Sequence, residues 1–297
     1  MTKTSAAGAA VVAVLISATL FGTTGTARII SGVEASSISI ASARLLLGAL
    51  GLVAISLVSG RAKSLLSLWR RPLVWLMGLG VAAYQSLFFI GTGLVGVAIG
   101  TLASLALGPL MAGLLAWLLG AKRPSGMWWM STLIAIAGLS VLTWGGLNSD
   151  ASFDFVGILA AVGAGAAYAV YTVLGSRITL PTVPATDVLA ASFFLGALML
   201  LPLGAGDFNA LTSGSGVGLV LWLGLVATTV AYVLFGQGIT HLAPGTVATL
   251  NLAEPVVATI LGVIVVHETI SGLSLVGCAL IATSLSVLAF STVRNGS

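Results

Sequence analysis

The sequence predicts an all-α integral membrane protein, in which ten transmembrane helices form two inverted five-helix repeats around a central cavity. Three observations lead to this prediction. Of the 297 residues, 58% are hydrophobic and 6% are charged, whereas about a quarter of the residues of a soluble domain are charged. Ten apolar segments follow one another along the chain, separated by short polar breaks. A ten-residue sequence from the first half of the chain returns in the second half.

The apolar segments define the predicted spans. Each has about 18 to 24 residues, which is enough to cross a hydrocarbon core of about 30 Å. The strands of a transmembrane barrel would be about half as long and would alternate in polarity, so helices are favoured. The first segment is too long for the apolar part of a signal peptide and is expected to be retained. The predicted spans cover residues 6–29, 37–58, 73–93, 97–119, 125–146, 154–176, 186–203, 216–238, 243–266 and 271–292.

The duplication is clearest in the fourth and ninth segments. GTLASLALGP at 100–109 returns as GTVATLNLAEP at 245–255, with one residue inserted before the proline. Weaker matches extend in both directions, so we expect repeats at 6–146 and 152–293 within a single transport domain covering 1–297. Because each repeat has an odd number of spans, the second must enter the membrane from the side opposite to the first.

The basic residues predict the orientation of the chain. If both termini are cytoplasmic, nine of the eleven Lys and Arg residues lie on the cytoplasmic side, as the positive-inside rule requires. The loop RAKSLLSLWRR at 61–71 is basic, whereas its counterpart GAGDFNALTSGSG at 204–216 contains no base. The net charge of +4 is therefore interpreted as a topology signal of a multi-pass inner-membrane protein, and no nucleic-acid partner is expected.

The chain resembles the drug/metabolite transporter superfamily in its EamA-like ten-helix branch. The resemblance rests on Arg44 in the second segment, Pro109 in the fourth, and LAEPVVATILGVIVVHETISGLSLVG at 252–277. It implies a bacterial exporter, and within the branch the chain is most similar to YddG-type exporters of aromatic and other neutral amino acids. The chain departs from the branch at Lys122 and Arg123, where many relatives carry an acid.

Small residues recur in the fourth and ninth segments at intervals of four. In lipid, small side chains at this spacing let two helix backbones approach closely. We therefore expect these two helices to pack against each other, or against a close neighbour, at the centre. The small residues are Gly100, Ser104 and Gly108 in one segment and Gly245, Thr249 and Ala253 in the other.

Prolines interrupt the same two segments. Pro109 and Pro255 lie deep in their helices and are expected to free the carbonyl groups of Leu105 and Asn251. A freed carbonyl at membrane depth needs a partner or water. Corresponding segments interrupted in this way favour a solute site near the bilayer midplane.

Two ionisable side chains, Arg44 and Glu254, lie well inside predicted spans. Such groups are costly in lipid and by default indicate function. Glu254 is expected to bind a substrate ammonium group or exchange a proton, or else, when protonated, to satisfy a carbonyl group of its own helix. Arg44 is expected to attract a substrate carboxylate, or else to pair with Glu34 while reaching toward the membrane surface.

Aromatic and amide side chains cluster in the middle helices. Spacings of three or four residues place several of them on shared helix faces, although ordinary packing produces the same pattern. A pocket with aromatic walls, amide groups and few charges suits a neutral or zwitterionic solute. The predicted solute-binding residues are Arg44, Tyr84, Gln85, Phe88, Tyr168, Tyr171, Tyr232, Asn251 and Glu254.

Two other sets of side chains are not expected to contact the solute. Tryptophans near helix ends are predicted to form an interfacial belt. His241 and His267 lie at helix ends on opposite sides of the membrane, so no metal site is expected, and no motif suggests a cofactor. The belt tryptophans are Trp69, Trp75, Trp128 and Trp129.

These features predict a secondary active transporter that exports a small solute by alternating access. The expected solute is a neutral or aromatic amino acid or a related metabolite, with protons as a candidate coupling partner. An exporter of other metabolites or drugs remains open, as does a facilitative uniporter or channel without ion coupling. An enzyme is not expected, because the sequence offers no paired carboxylates, histidine cluster or positioned nucleophile.

The predicted orientation can be tested with reporters that are active on one side of the membrane only. A reporter fused after Ser297 should be cytoplasmic, and one inserted near Asp207 should be external. The reverse pattern of reporter activity would contradict the topology.

Overall fold

The computed structural model describes residues 3–145, 154–179 and 183–295, and it confirms the predicted fold class within them. Ten helices in these ranges are long and apolar enough to cross a membrane. The predicted repeat boundaries at 146 and 152 lie outside the described residues, and the inversion of the repeats stays a prediction. The helices are α1 Lys3–Ser31, α2 Ser37–Val58, α3 Pro72–Val95, α4 Val97–Leu118, α5 Gly126–Gly145, α6 Phe155–Ile178, α7 Ala185–Gly204, α8 Gly214–His241, α9 Pro244–Val265 and α10 Gly272–Asn295.

Large apolar side chains cover the outside of the bundle. Val58 is 90% exposed, Leu118 76% and Phe290 70%. In water such a surface would be an aggregation liability, but lipid is an apolar solvent for it. The chain is therefore a multi-pass membrane protein, with much of its large apolar surface turned outward.

Small residues make the tightest helix crossings. A Cβ atom on Gly138 of α5 would lie 2.9 Å from the carbonyl oxygen of Gly277 on α10. Where α3 crosses α7, a Cβ atom on Gly196 would lie 2.9 Å from the carbonyl oxygen of Gly78. Only glycine lets the backbones approach this closely, and such contacts replace the hydrophobic effect that lipid cannot supply between helices.

The small residues of α4 and α9 also lie at helix contacts, as predicted. The hydroxyl of Ser104 on α4 donates to the carbonyl oxygen of Ala161 on α6, at 3.0 Å. Thr249 on α9 shares a 2.9 Å hydrogen bond with Thr132 on α5. A Cβ atom on Gly245 of α9 would lie 2.9 Å from the Cα atom of Gly113, so α9 also meets α4 directly.

The two proline-containing helices differ in structure. α4 is continuous through Pro109, whereas the α-helical hydrogen-bond pattern of α9 is interrupted by a turn at Asn251 and Leu252. The prediction that Pro255 leaves the Asn251 carbonyl free is wrong, because that oxygen accepts the Glu254 N–H at 3.0 Å. The chain tightens at the break, so that a bond spanning three residues replaces the one lost to proline.

An ion pair fastens the basic loop between α2 and α3 to α7. Residues Ala62–Trp69 of that loop form a short helix. Asp187, in the first turn of α7, is fully buried, and its Oδ1 accepts from Nε of Arg61 at 2.9 Å. The same oxygen accepts from Ser56 Oγ at 2.7 Å. The hydrogen bonds supply part of what a buried carboxylate loses when it leaves water.

The predicted tryptophan belt is wrong for Trp128. Trp75 is 48% exposed, which suits an interfacial side chain, but Trp128 is only 4% exposed. The Trp128 ring packs directly against two glycines. A Cβ atom added to Gly113 would lie 2.5 Å from the ring, and one added to Gly245 would lie 3.0 Å from it. Two glycines on α4 and α9 thus create a slot that sequence position alone does not reveal.

We expect Gly138→Ala to destabilise the bundle, since the added methyl group would press on the Gly277 backbone. Overpacking of this kind costs about 1–3 kcal/mol, which should appear as a lower Tm of the purified protein in detergent. Gly25→Ala is the matched control, because a Cβ atom there meets nothing within 4 Å. A Tm that falls equally in both variants would contradict the packing described for Gly138.

Candidate functional site

A cavity lies at the centre of the bundle, between α1, α2, α3, α4, α6, α8 and α9. Its volume of about 50 Å³ leaves room for a few water molecules. Pockets that bind small molecules usually measure about 300–1,000 Å³. The described conformation is therefore contracted at the centre. The lining residues include Phe21, Arg44, Tyr84, Gly108, Pro109, Tyr168, Tyr171, Tyr232, Asn251 and Glu254.

Seven of the nine predicted solute-binding residues line this cavity. Gln85 does not; it lines a smaller adjoining cavity of about 10 Å³ together with Arg44 and Tyr84. Phe88 also stays outside the central cavity and packs against Tyr84, with 6.0 Å between the ring centroids. The structure brings most of the predicted set together, while their role in binding stays a prediction.

Phe21 of α1 was missed by sequence analysis. Its ring lies 5.0 Å from that of Tyr232, measured between centroids, and it lines the central cavity. Threonines stand close to Phe21 at positions 19, 23 and 24, but Ser or Thr occurs in every span, and no spacing distinguishes Phe21 from a lipid-facing residue. Only the packing of α1 against α8 and α9 turns it inward.

Four tyrosines on α3, α6 and α8 form most of the aromatic wall. The Tyr84 ring lies 5.9 Å from that of Tyr168 and 6.3 Å from that of Tyr171. Behind them the ring of the fully buried Phe193 of α7 packs against that of Tyr232, with 4.3 Å between the ring centroids. Edge-to-face and tilted contacts at these distances are favourable. The wall is thus a packed unit and not a set of independent side chains.

Asn251 presents an unused acceptor beside this wall. Its Nδ2 donates to the hydroxyl oxygen of Tyr168 at 2.9 Å, which orients the amide. Its Oδ1 is buried and has no hydrogen-bond partner within the described part of the chain. Because an unsatisfied buried acceptor costs about 1–3 kcal/mol, this oxygen is suited to accept from a ligand.

Arg44 and Glu254 face the same cavity from α2 and α9. Among the described residues the one ion pair is that between Arg61 and Asp187, so Arg44 pairs with neither Glu254 nor Glu34. Neither side chain makes a hydrogen bond within the described ranges. The alternative in which Arg44 pairs with Glu34 is therefore not what the structure shows. The cavity presents a guanidinium group and a carboxyl group, each able to engage a ligand.

The break in α9 makes the cavity chemically one-sided. Glu254 immediately precedes Pro255 and lies two residues after the turn at Asn251 and Leu252. In α4, Gly108 directly precedes Pro109 and the helix is continuous. Of the described α4 residues that line the cavity, only Ser104 is polar, whereas α9 contributes the amide of Asn251 and the carboxyl group of Glu254.

Comparisons with known proteins show what the chain is similar to. The uncharacterized transporter YwfM of Bacillus subtilis is 36% identical over 276 residues, which are 93% of this chain and 92% of that protein. The threonine/homoserine exporter RhtA of Salmonella typhimurium is 32% identical over 221 residues, 73% of this chain and 70% of RhtA. A crystal structure that is 24% identical, with a TM-score of 0.81 over 99% of both chains, shows the same fold.

The EamA-like transporter family matches the chain twice, at residues 8–144 and 155–290. The two matches fall within the two predicted repeats and together cover most of the sequence. The relatives do not test the narrower resemblance to YddG-type exporters. The chain belongs to the EamA-like transporter family.

Proposed function

We propose that the protein exports small neutral amino acids, which bind as zwitterions in the central cavity. The observation that supports this most directly is the presence of Arg44 and Glu254 in one cavity without an ion pair between them. A zwitterion would place its carboxylate at Arg44 and its ammonium group at Glu254 and the free Asn251 Oδ1. Charge-assisted hydrogen bonds of this type are about twice as strong as neutral ones.

The size of the cavity and the names of the relatives suggest which amino acids to test first. A space of about 50 Å³ must widen for any amino acid, and a small side chain needs the least widening. RhtA is named a threonine/homoserine exporter, which makes threonine the first candidate for this chain. The resemblance to YddG-type exporters makes phenylalanine the second, since the aromatic wall offers stacking partners.

The proposed mechanism is alternating access around this site in the inner membrane, with both termini in the cytoplasm. The contracted cavity corresponds to a conformation between the two open ones. Two irregular segments lie beside the cavity, at Trp222–Val230, a π-helical stretch of α8, and at the break in α9. Such segments often mark functional sites in helices, and here they give α8 and α9 a place to bend.

Two alternatives to proton-coupled export of amino acids remain, one for the coupling and one for the class of solute. Glu254 could exchange a proton during the cycle, or it could serve only to bind the ammonium group, in which case the protein is a facilitative uniporter. An exporter of other metabolites or drugs would use the aromatic wall and would not need both charged groups.

We expect Arg44→Gln to weaken threonine binding about 10-fold to 100-fold, because it removes a charged donor worth about 1.5–3 kcal/mol. The measurement is competition with labelled threonine in proteoliposomes. Threonine methyl ester, which has no carboxylate, should bind equally to the parent and to Arg44→Gln. Arg28→Gln is the control, since Arg28 bonds Ser37 and the Ala35 carbonyl outside the cavity. Unchanged affinity in a folded Arg44→Gln protein would contradict the carboxylate role.

If Glu254 exchanges protons, Glu254→Gln should abolish the stimulation of threonine transport by a pH gradient, while counterflow exchange continues. Transport should be followed with and without the gradient in proteoliposomes. Glu34→Gln removes a carboxyl group outside the cavity and should behave as the parent does. A Glu254→Gln protein with unchanged rate and unchanged pH dependence would exclude the proton role.

A further inference from the structure

A second and larger cavity lies on the side of the membrane where α10 ends. Its volume is about 470 Å³, and it is enclosed by the α4–α5 connection, the start of α9 and the end of α10. We call this cavity the vestibule. Its size is that of a small-molecule site, whereas the central cavity is contracted to about 50 Å³.

The charged side chains that line the vestibule are both basic. They are Lys122 and Arg123, and no Asp or Glu belongs to the lining. Both side chains are exposed, and within the described ranges neither forms an ion pair. The Arg123 guanidinium lies 5.9 Å from the centre of the Trp117 ring. A concave surface with charges of one sign concentrates ligands of the opposite sign.

One buried donor of the vestibule has no partner within the described part of the chain. Trp128, which lines the cavity, is 4% exposed, and its Nε1–H has no acceptor. Buried polar groups are normally hydrogen-bonded. The side chains of Thr246 and Thr292 also line the cavity, and their hydroxyl groups make no hydrogen bond within the described ranges. A ligand that accepts hydrogen bonds would satisfy the indole N–H and could also accept from the two hydroxyl groups.

Trp128 also packs against α4 and α9, the two helices that line both cavities. Its ring fills the slot between Gly113 and Gly245. Pro109 and Ala248 line the central cavity. Gly113 lies four residues after Pro109 on α4, and Gly245 lies three residues before Ala248 on α9. At a rise of about 1.5 Å per residue, the two cavities are thus about one helical turn apart.

We propose that the vestibule is a second binding site, which holds the carboxylate of the solute before Trp128 moves and the solute enters the central cavity. The proposal rests on the proposed function for the identity of the solute. The anion preference of the vestibule does not, because it follows from Lys122, Arg123 and the unsatisfied Trp128 N–H. A lipid phosphate shares the acceptor chemistry, and the test separates the two.

The anion preference can be measured with a single thiol. Cys278 is the one cysteine of the chain, so Cys278→Ser with Ser291→Cys places a thiol in the vestibule lining. Two thiosulfonate reagents, one with a sulfonate group and one with a trimethylammonium group, are compared by their rates of reaction with this thiol, each divided by its rate with glutathione. The normalised rate of the sulfonate reagent should be at least about tenfold higher. Adding Lys122→Gln and Arg123→Gln should bring the two rates together. Adding Arg70→Gln and Arg71→Gln instead, an equal change of charge at exposed sites on the same side, should not.

The solute assignment has its own arm. L-Threonine should slow labelling of Ser291→Cys, and threonine methyl ester should not. Trp128→Phe, which keeps an aromatic ring but removes the indole N–H, should weaken the protection by threonine. Protection by both compounds, or by neither in a protein that transports threonine, would overturn the carboxylate site. Labelling slowed in phosphatidylglycerol vesicles relative to phosphatidylcholine, without an effect of threonine, would assign the vestibule to lipid and overturn the proposal.

Failure of the proposed function gives a different result. If threonine is not transported but the sulfonate reagent retains its advantage, the vestibule remains an anion site and only the choice of solute is wrong. If threonine is transported and the two reagents react equally, the central site stands and the vestibule proposal is rejected.

Discussion

The close approach of helix backbones is the constraint on which the rest of this structure depends. In lipid, apolar side chains gain little by leaving the surface, so the helices are held by contact and hydrogen bonds at small residues. The crossings at Gly138 and Gly277 and at Gly78 and Gly196 show this directly. Contacts of this kind also hold α2 against α8 at Gly48 and α1 against α9 at Gly22. In the bundle that results, Arg44 and Glu254 share a cavity but do not form an ion pair.

Charged side chains are arranged in two ways in this protein, as an ion pair at a loop and as unpaired groups in the central cavity. Where the chain fastens a loop to a helix, Arg61 and Asp187 meet at 2.9 Å, and Ser56 donates to the same carboxylate oxygen. In the central cavity, the guanidinium group of Arg44 and the carboxyl group of Glu254 line the same space without forming an ion pair. Charged groups at membrane depth are expensive, so an arrangement that leaves them unpaired is stabilised when a ligand with the complementary charges is bound.

Differences between the two copies of the repeated sequence explain why the amide and the carboxyl group of the cavity both come from α9. Both copies of the repeated sequence supply small residues for close packing, at Ser104 in one and Thr249 in the other. The first copy is a continuous helix, whereas the second has one residue more, a break and a carboxyl group. Gly113 of α4 and Gly245 of α9, which are not equivalent positions of the repeat, meet each other and form the slot for Trp128. Both helices thus supply close packing, while α9 supplies the amide and the carboxyl group of the cavity.

Hydropathy and repetition by themselves determined the ten spans and the small-residue helix contacts, because lipid requires long apolar segments and small residues wherever backbones touch. Residue type singled out Arg44 and Glu254, because charged groups are rare inside spans, and spacing along shared helix faces singled out the tyrosines. Only the tertiary structure decided which side chains meet. Phe21 and Trp128 carry no signal in sequence, and the Asn251 carbonyl finds a partner three residues on. These outcomes depend on helix rotation and on local backbone relaxation, which composition and spacing do not specify.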